Sequence, residues 1–263
     1  MKMPVRGPLL DRDDADAVMH TNPRGLSPFL LIGDHAGRAI PKHLGSLGVN
    51  ETDRARHIAW DIGVRELGVM LARKIDAPFI HQHYSRLVID CNRDPHSPEA
   101  IPNLSDDTPI PGNADISNVA RLERIAAIHE PYQSAIALEI DRRDSMRHPT
   151  ILVALHSFTP NLASTLRSWD IGVLHDGRQD GFARALIDAL RADEALEVGD
   201  NKPYRMDSTD YTVPLHAFER GLLYAELEIR QDLIAFPPGQ ARWCRILANV
   251  LPAAYEAVSK GSK

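Results

Sequence analysis

Two histidines and a glutamate stand where the chain could assemble a catalytic centre. His35 follows the apolar run 29–32, His156 follows the apolar run 151–155, and Glu228 lies in a third apolar stretch. Such runs have the composition of buried strands. Because open α/β sheets bind ligands at the carboxyl ends of their strands, we expect these side chains to meet at one edge. Imidazole and carboxylate are ligands that zinc prefers, so the pattern predicts a metal-hydrolase site.

A catalytic zinc site needs about three protein ligands, and two of them can be His35 and His156. The usual third ligand is a carboxylate, and the candidates are Asp61 and Asp34. Spacing alone does not choose between them. Either histidine could instead cap backbone groups at the end of its strand.

The last predicted strand carries an acidic pair. Strand alternation puts Glu226, Glu228 and Arg230 on one face. Two acids are costly to bury unless they have partners, so either they pair with basic residues or one of them has a catalytic role. Glu228 beside a metal and its water would be a natural general base. His216 lies just before this strand and could reach the substrate.

Basic residues around the sequence Asp90-Cys-Asn-Arg93 suggest an anion site. The guanidinium of Arg93 presents a planar set of donors that matches a carboxylate, and Asn92 could add an amide donor. Arg86 is a further positively charged candidate. The alternative is a structural ion pair between Arg93 and Asp90.

Strands and helices alternate along the whole chain, which predicts an α/β fold of three layers with a mixed, mostly parallel central sheet flanked by helices. A polar N-terminal arm is expected over 1–27, and the stretch 94–118 is expected to be a long ordered loop or a lid. The predicted strands cover residues 29–32, 77–81, 85–90, 151–155, 169–175 and 222–229. The predicted helices cover residues 52–75, 118–147, 180–192 and 241–258.

Composition narrows the class of protein. The 263 residues fit a single domain, and a net charge of −6 gives no support for a nucleic-acid partner. No apolar run reaches the roughly 18 residues of a membrane span, and the N-terminus lacks the apolar core of a signal peptide. Two distant cysteines, Cys91 and Cys244, predict no disulfide framework and fit a cytoplasmic protein. Oligomeric state is not predicted by these features.

The chain resembles the N-formylglutamate amidohydrolase family, whose fold is similar to that of the zinc carboxypeptidases and aspartoacylase-like deacylases. The resemblance covers about residues 28 to 250 and rests on five short motifs in order. These motifs are Gly33-Asp-His-Ala-Gly37 with Ile40-Pro41, Trp60-Asp-Ile-Gly63, Ser85-Arg-Leu-Val-Ile-Asp-Cys-Asn-Arg93, His156-Ser-Phe158 and Leu227-Glu-Ile-Arg-Gln-Asp-Leu-Ile234. It implies a zinc-carboxypeptidase-like (phosphorylase/hydrolase-like) fold for one amidohydrolase domain over 1–263.

The resemblance also implies roles for individual residues. His35 and His156 would bind a divalent metal, zinc in the carboxypeptidases, and Glu228 would be the general base. Asn92 and Arg93 would hold a substrate carboxylate. The carboxypeptidases take a further ligand from His-x-x-Glu, whereas Arg38 stands at that glutamate position here. The third ligand is therefore expected from elsewhere, with Asp61 favoured over Asp34.

The function implied by the resemblance is metal-dependent hydrolysis of an N-acyl amino acid, with N-formylglutamate converted to formate and glutamate. The substrate partner is thus a small molecule. One alternative is a deacylase or carboxypeptidase that acts on another N-acyl amino acid or on a peptide. A second alternative is a metabolite-binding protein that keeps the scaffold without catalysis.

Overall fold

A mixed seven-stranded sheet runs through the part of the chain that the computed structural model describes, which is residues 9–162 and 165–261. Its strands follow the sequence as β1 (Val18–Thr21), β2 (Phe29–Gly33), β3 (Phe79–Gln82), β4 (Ile151–Phe158), β5 (Ile171–Leu174), β6 (Val198–Asp200) and β7 (Leu223–Arg230). Their order across the sheet is β1-β3-β2-β4-β7-β5-β6. The N-terminal and C-terminal halves of the chain thus meet at β4 in the centre.

Parallel pairing dominates the middle of the sheet. β4 is parallel to β2 on one side and to β7 on the other, and all eight of its residues are buried. Branched apolar residues such as Ile151 and Val153 suit a strand that is covered on both faces. β1 pairs antiparallel with β3, and β5 pairs antiparallel with β7. The prediction of a mixed, mostly parallel sheet is therefore confirmed.

Helices cover both faces of the sheet. They are α1 (Glu51–Arg54), α2 (Val64–Lys74), α3 (Asn118–Arg124), α4 (Glu130–Ser145), α5 (Gly181–Arg191) and α6 (Pro237–Gly261). A π-helical turn, Ile125–His129, joins α3 to α4. The continuous helical segment that results packs on the face of the sheet that carries Leu152 and Ala154. α2, α5 and α6 pack on the opposite face. Two separate apolar cores result, which confirms the three-layer arrangement.

Short elements connect these layers. Two hairpins pair Leu104–Ser105 with Thr108–Pro109 and Asn161–Leu162 with Thr165–Leu166. Single turns of 3₁₀-helix lie at Lys42–Leu44, Pro98–Ala100, Pro111–Asn113 and Gln231–Leu233, and a π-helical turn lies at Pro214–Phe218. In the described residues no helix is long and apolar enough to cross a membrane. Cys91 and Cys244 are buried free thiols.

The strand predicted over 85–90 is wrong, because this segment is a buried loop without sheet pairing. Two of its backbone groups bond locally: the Leu87 N–H and the Val88 N–H donate to Ser85 Oγ and O at 3.1 and 2.9 Å. Such side-chain and turn bonds compete with strand pairing. The apolar residues 87–89 that suggested a strand fill the core instead.

The single helix predicted over 52–75 is also wrong, because it is two helices, α1 and α2, separated by nine residues. Gly63 precedes α2 with a positive φ of 83°, and a Cβ there would lie 2.1 Å from the Ile234 carbonyl oxygen. Only glycine fits this close approach. The break matters for the site, because it frees Asp61 from a helix and puts it in a loop.

Two other expectations concern the loops. Residues 1–8 of the expected N-terminal arm lie outside the described residues, and the later part supplies the edge strand β1. The stretch 94–118 is anchored to the body of the protein. Arg56 donates to Asp106 at 2.6 Å and to Thr108 at 2.7 Å, and the Asp90 N–H donates to the Ala100 carbonyl at 2.7 Å.

Candidate active site

The register of the central strands brings the polar strand ends together. β4 and β7 pair so that His156 and Glu228 are direct neighbours. β2 pairs Ile32 with Ala154 and ends one residue later, so that Asp34 and His35 follow at the same edge. Three strands thus deliver two histidines and two acids to one place, as their sequence positions predicted.

His35 is held from one side only. Its Nε2 lies 2.6 Å from Asp90 Oδ1, and Asp90 Oδ2 in turn accepts from Arg86 Nη2 at 2.5 Å. Its Nδ1 is buried and has no hydrogen-bond partner among the described residues, with Asp61 Oδ2 3.6 Å away. A buried imidazole nitrogen without a partner is costly unless something else occupies it.

His156 contacts two carboxylates with its two ring nitrogens. Nδ1 lies 3.0 Å from Asp61 Oδ2, and Nε2 lies 3.1 Å from Asp34 Oδ2. Burial disfavours the imidazolium, but the hydrogen bonds to Asp34 and Asp61 outweigh it and hold the pKa of His156 well above its usual value. The other oxygen of Asp34 accepts from the Thr212 hydroxyl at 2.5 Å. Asp34 is therefore fixed behind the His156 ring.

Asp61 stands between the two imidazoles. Its Oδ2 approaches Nδ1 of both rings, and the ligand atoms of His35, Asp61 and His156 all lie within 4.8 Å of one another. The Asp61 N–H donates to the His35 carbonyl at 2.9 Å, and the Ser157 N–H donates to Asp61 Oδ2 at 3.2 Å. Burial raises the pKa of Asp61, but the two histidines outweigh burial and keep it below its ordinary value. Of the two candidate carboxylates, Asp61 is the one that faces both histidines.

A cavity of about 300 Å³ opens beside this cluster. Seven of the nine predicted site residues line it: His35, Asp61, Arg86, Asn92, Arg93, His156 and Glu228. His216 lies outside the lining and hydrogen-bonds Gln133 at 2.8 Å through Nε2. Arg230 also lies outside it and contacts Asp170 at 3.2 Å and Asp232 at 2.9 Å. The side chain of Arg230 is thus paired with acids outside the cavity.

The basic residues of the cavity differ in how fully they are engaged. Arg86 is tied to Asp90, as above, and its Nη1 lies 3.8 Å from Asp61 Oδ1. Arg93 donates from Nη1 to the carbonyls of Asn92 and Thr209, at 2.9 and 3.0 Å. Asn92 accepts from the N–H groups of residues 211 and 212 with its amide oxygen. Asn92 therefore holds the loop 207–212 beside the cavity. Arg93 uses Nη1 for these bonds, so further N–H groups of its guanidinium are available to a ligand.

Two buried glutamates on β7 face the cavity. Glu226 and Glu228 are 3% and 7% exposed, and in the part of the chain that the structure describes Oε2 of each has no hydrogen-bond partner. Burial raises the pKa of Glu228 to about 7, although His156 opposes this rise. Burial also raises the pKa of Glu226 well above its usual value; His156 again opposes the rise, and Asp210 adds to it.

Some residues of the site were not predicted from the sequence. The sequence indicates Asp90 only as a partner of Arg93, whereas in the structure its carboxylate contacts His35. Tyr204, Arg205 and Asp210 line the cavity from the polar segment after β6, which has no motif or periodicity. Arg167 donates to the Tyr204 hydroxyl at 2.7 Å and stacks on its ring. Nothing in the sequence of this segment indicates which side chains turn inward.

Comparison with known proteins places the chain in a family. The N-formylglutamate amidohydrolase family matches residues 27–235, whereas none of the curated proteins matches the chain. The solved structure of gene product Atu2144 from Agrobacterium tumefaciens is 33% identical, with a TM-score of 0.92 over 95% of this chain and 99% of that one.

A second solved structure agrees in fold. N-formylglutamate amidohydrolase from Ralstonia eutropha JMP134 is 21% identical, with a TM-score of 0.67 over 94% of this chain and 100% of that one. The family match spans all five motifs and every residue of the histidine–aspartate cluster. The chain belongs to the N-formylglutamate amidohydrolase family and is a hydrolase that acts on linear amide C–N bonds.

Proposed function

We propose that the protein is a metal-assisted amidohydrolase that releases a free amino acid from an N-acyl amino acid. The observation that carries this proposal is the buried cluster of His35, Asp61 and His156 at the wall of a cavity that also holds Glu228. The family match supports the amide bond as the target. N-formylglutamate, the substrate in the family's name, is the first substrate to test.

The cluster fits a divalent cation such as zinc. The unpartnered Nδ1 of His35 is turned toward Asp61 Oδ2, which His156 Nδ1 also approaches. Three protein ligands of the nitrogen and oxygen type are the usual set of a catalytic zinc site. Asp90 and Asp34 contact the far nitrogens of the two rings, as carboxylates behind metal-binding histidines do. When bound, the ion would supply Lewis acidity to the acyl oxygen and to water.

Glu228 is the proposed general base. Its carboxyl group is buried at the cavity wall, and its pKa of about 7 suits proton transfer near neutral pH. Glu228 takes a proton from the attacking water and delivers it to the leaving amine nitrogen. The carboxyl oxygen without a partner is available for this proton.

The substrate carboxylate is assigned to Arg93. This guanidinium lies at the cavity with donors beyond those it gives to backbone carbonyls. Asn92 positions the loop beside it, and its Nδ2 is 3.4 Å from Asp210 Oδ1. Arg86 is the donor next to Asp61, where it can stabilise negative charge that develops on the acyl oxygen.

Metal analysis and a base variant test this function together. The purified protein should hold about one zinc per chain and should hydrolyse N-formyl amino acids. Glu228→Gln should keep its metal and lose roughly 10²- to 10⁴-fold in kcat. Glu256→Gln, at an exposed position of α6, is the matched control. Full activity of Glu228→Gln, together with a metal-free active protein, would overturn the proposal.

A second candidate keeps the reaction and changes the amino acid. One observation favours it: Oε2 of Glu226 lines the cavity without a hydrogen-bond partner among the described residues, and the γ-carboxylate of glutamate carries no N–H donor for it. Hydrolysis of N-formylglutamate thus stays a prediction, and a panel of N-formyl amino acids decides it.

A further inference from the structure

Glu226 is a buried acid that the proposed reaction does not use. It precedes Glu228 by two residues on β7, so both side chains project from the same face of the strand. Glu226 lines the cavity and is 3% exposed, and its Oε2 has no hydrogen-bond partner within residues 9–162 and 165–261. It lies farther from the strand end than Glu228 does, and its neighbour across the antiparallel pairing is Leu174, which also lines the cavity.

The other acids of the cavity do not compensate this carboxyl group. The charge of His156 favours the ionised form of Glu226, whereas Asp210 and Glu228 act on it as like charges. Asp210 accepts from the Asp207 N–H at 2.9 Å and has Arg93 Nη1 at 3.9 Å. Arg86 is committed to Asp90. Like Glu228, Glu226 thus has a carboxyl oxygen that lacks a donor among the described residues, and Glu226 has no role in the proposed reaction.

A ligand can supply that donor. A buried carboxyl oxygen without a hydrogen bond is costly, and an ionised donor gives the strongest bond to it. An ammonium or guanidinium group would also offset the repulsion from Asp210. A carboxylate at the same place carries no donor for this oxygen.

The distances along the strand suit an amino-acid side chain. Glu226 and Glu228 are two positions apart on the strand, which corresponds to about 7 Å. A substrate whose scissile amide lies at Glu228 can reach Glu226 with a flexible side chain of the lysine type, which carries its charge on a four-carbon stem. An acyl group as small as formyl leaves the cavity free for that side chain.

We propose that Glu226 determines specificity and that the substrate is an N-acyl amino acid with a cationic side chain. The inference rests on the proposed amidohydrolase function, which it narrows from all N-acyl amino acids to one class. In this proposal Glu226 accepts hydrogen bonds from the cationic side chain of the substrate, and Arg93 binds its α-carboxylate. Glu228 is the general base at the scissile amide. No bond changes at Glu226.

The experiment compares three Nα-formyl substrates on the zinc-reconstituted protein. They are formyl-lysine, formyl-norleucine, which has the same stem without the charge, and formyl-glutamate. We expect kcat/KM for formyl-lysine to exceed that for formyl-norleucine by roughly 10- to 100-fold. Glu226→Gln should lower kcat/KM for formyl-lysine far more than kcat/KM for formyl-norleucine and so remove most of this ratio. Glu219→Gln, an exposed glutamate outside the cavity lining, should leave the ratio intact.

Binding to the metal-free wild type gives a second readout that needs neither turnover nor a folded variant. Free lysine should bind more tightly than norleucine in calorimetry. A preference for formyl-glutamate, equal rates for lysine and norleucine, or an equal loss on all three substrates in Glu226→Gln would overturn the inference. Lysine binding without turnover of any substrate would instead reject the proposed function and leave the recognition by Glu226 standing.

Discussion

Asp90 holds His35 by the nitrogen that points away from the cavity, at 2.6 Å, and so turns the other ring nitrogen toward Asp61. The same carboxylate accepts the Asn92 N–H at 2.9 Å, which ties the ring orientation to the loop that carries Arg93. The orientation of the proposed metal ligand and the position of the proposed carboxylate binder therefore depend on one aspartate.

Replacing Asp90 should weaken zinc binding without removing a ligand. In Asp90→Asn the ring of His35 loses its anionic partner and its basicity falls, so we expect the zinc dissociation constant to rise by roughly 10- to 100-fold. Competition with a chromophoric chelator measures it. Asp188→Asn, at an exposed position of α5, is the control. Unchanged affinity in Asp90→Asn would show that this contact does not orient the ligand.

Replacing Asp61 should reduce zinc binding more than replacing Asp34. Asp61 approaches both Nδ1 atoms, whereas Asp34 contacts only the far nitrogen of His156. We expect Asp61→Asn to lose stoichiometric zinc, and Asp34→Asn to retain it with affinity lowered by about 10-fold. Elemental analysis after gel filtration separates the two. The reverse order would make Asp34 the third ligand.

Activity should rise with pH through neutrality. Burial raises the pKa of Glu228 to about 7, and only the ionised form can take a proton from water, so kcat/KM falls as pH drops below that value. A bound cation favours the carboxylate and moves the midpoint to lower pH. A profile of kcat/KM from pH 5 to 9 measures this, within the range where ordinary proteins remain folded. A flat profile across the acidic limb would exclude Glu228 as the titrating base.

Arg143→Ala should lower the free energy of unfolding more than Arg142→Ala does. Its fully buried side chain donates to Glu139 at 2.8 Å and to the carbonyls of Ser27 and Phe29, each at 3.1 Å. Arg143→Ala removes these bonds together with the packing of a fully buried side chain, so the free energy of unfolding should fall by about 3 kcal/mol. Arg142 binds the same Glu139 from a side chain that is 43% exposed.

The matched change Arg142→Ala should cost less than about 1 kcal/mol. Urea unfolding at one pH compares the two variants. Equal losses would mean that the bonds of Arg143 to the start of β2 contribute little.

The central strands were predictable because their signal is local. The apolar run before His156 is continuous, and a strand buried on both faces needs that composition. The loop at 85–90 carries an apolar run of the same kind, yet Ser85 satisfies its backbone groups locally. Apolar composition thus predicted burial at both places, and it predicted sheet pairing at only one.

The sequence by itself determined the layered α/β fold, the family, and the set of side chains from which a metal site could be built. Motif order and hydrophobic patterning carry that information because each is read within a few neighbouring residues. Only the tertiary structure decided that Asp61 faces both histidines while Asp34 and Asp90 stand behind them. It also decided that Oε2 of Glu226 faces the cavity without a hydrogen-bond partner among the described residues. These are relationships between loops and strands far apart in the chain, and packing fixes which nitrogen or oxygen turns inward.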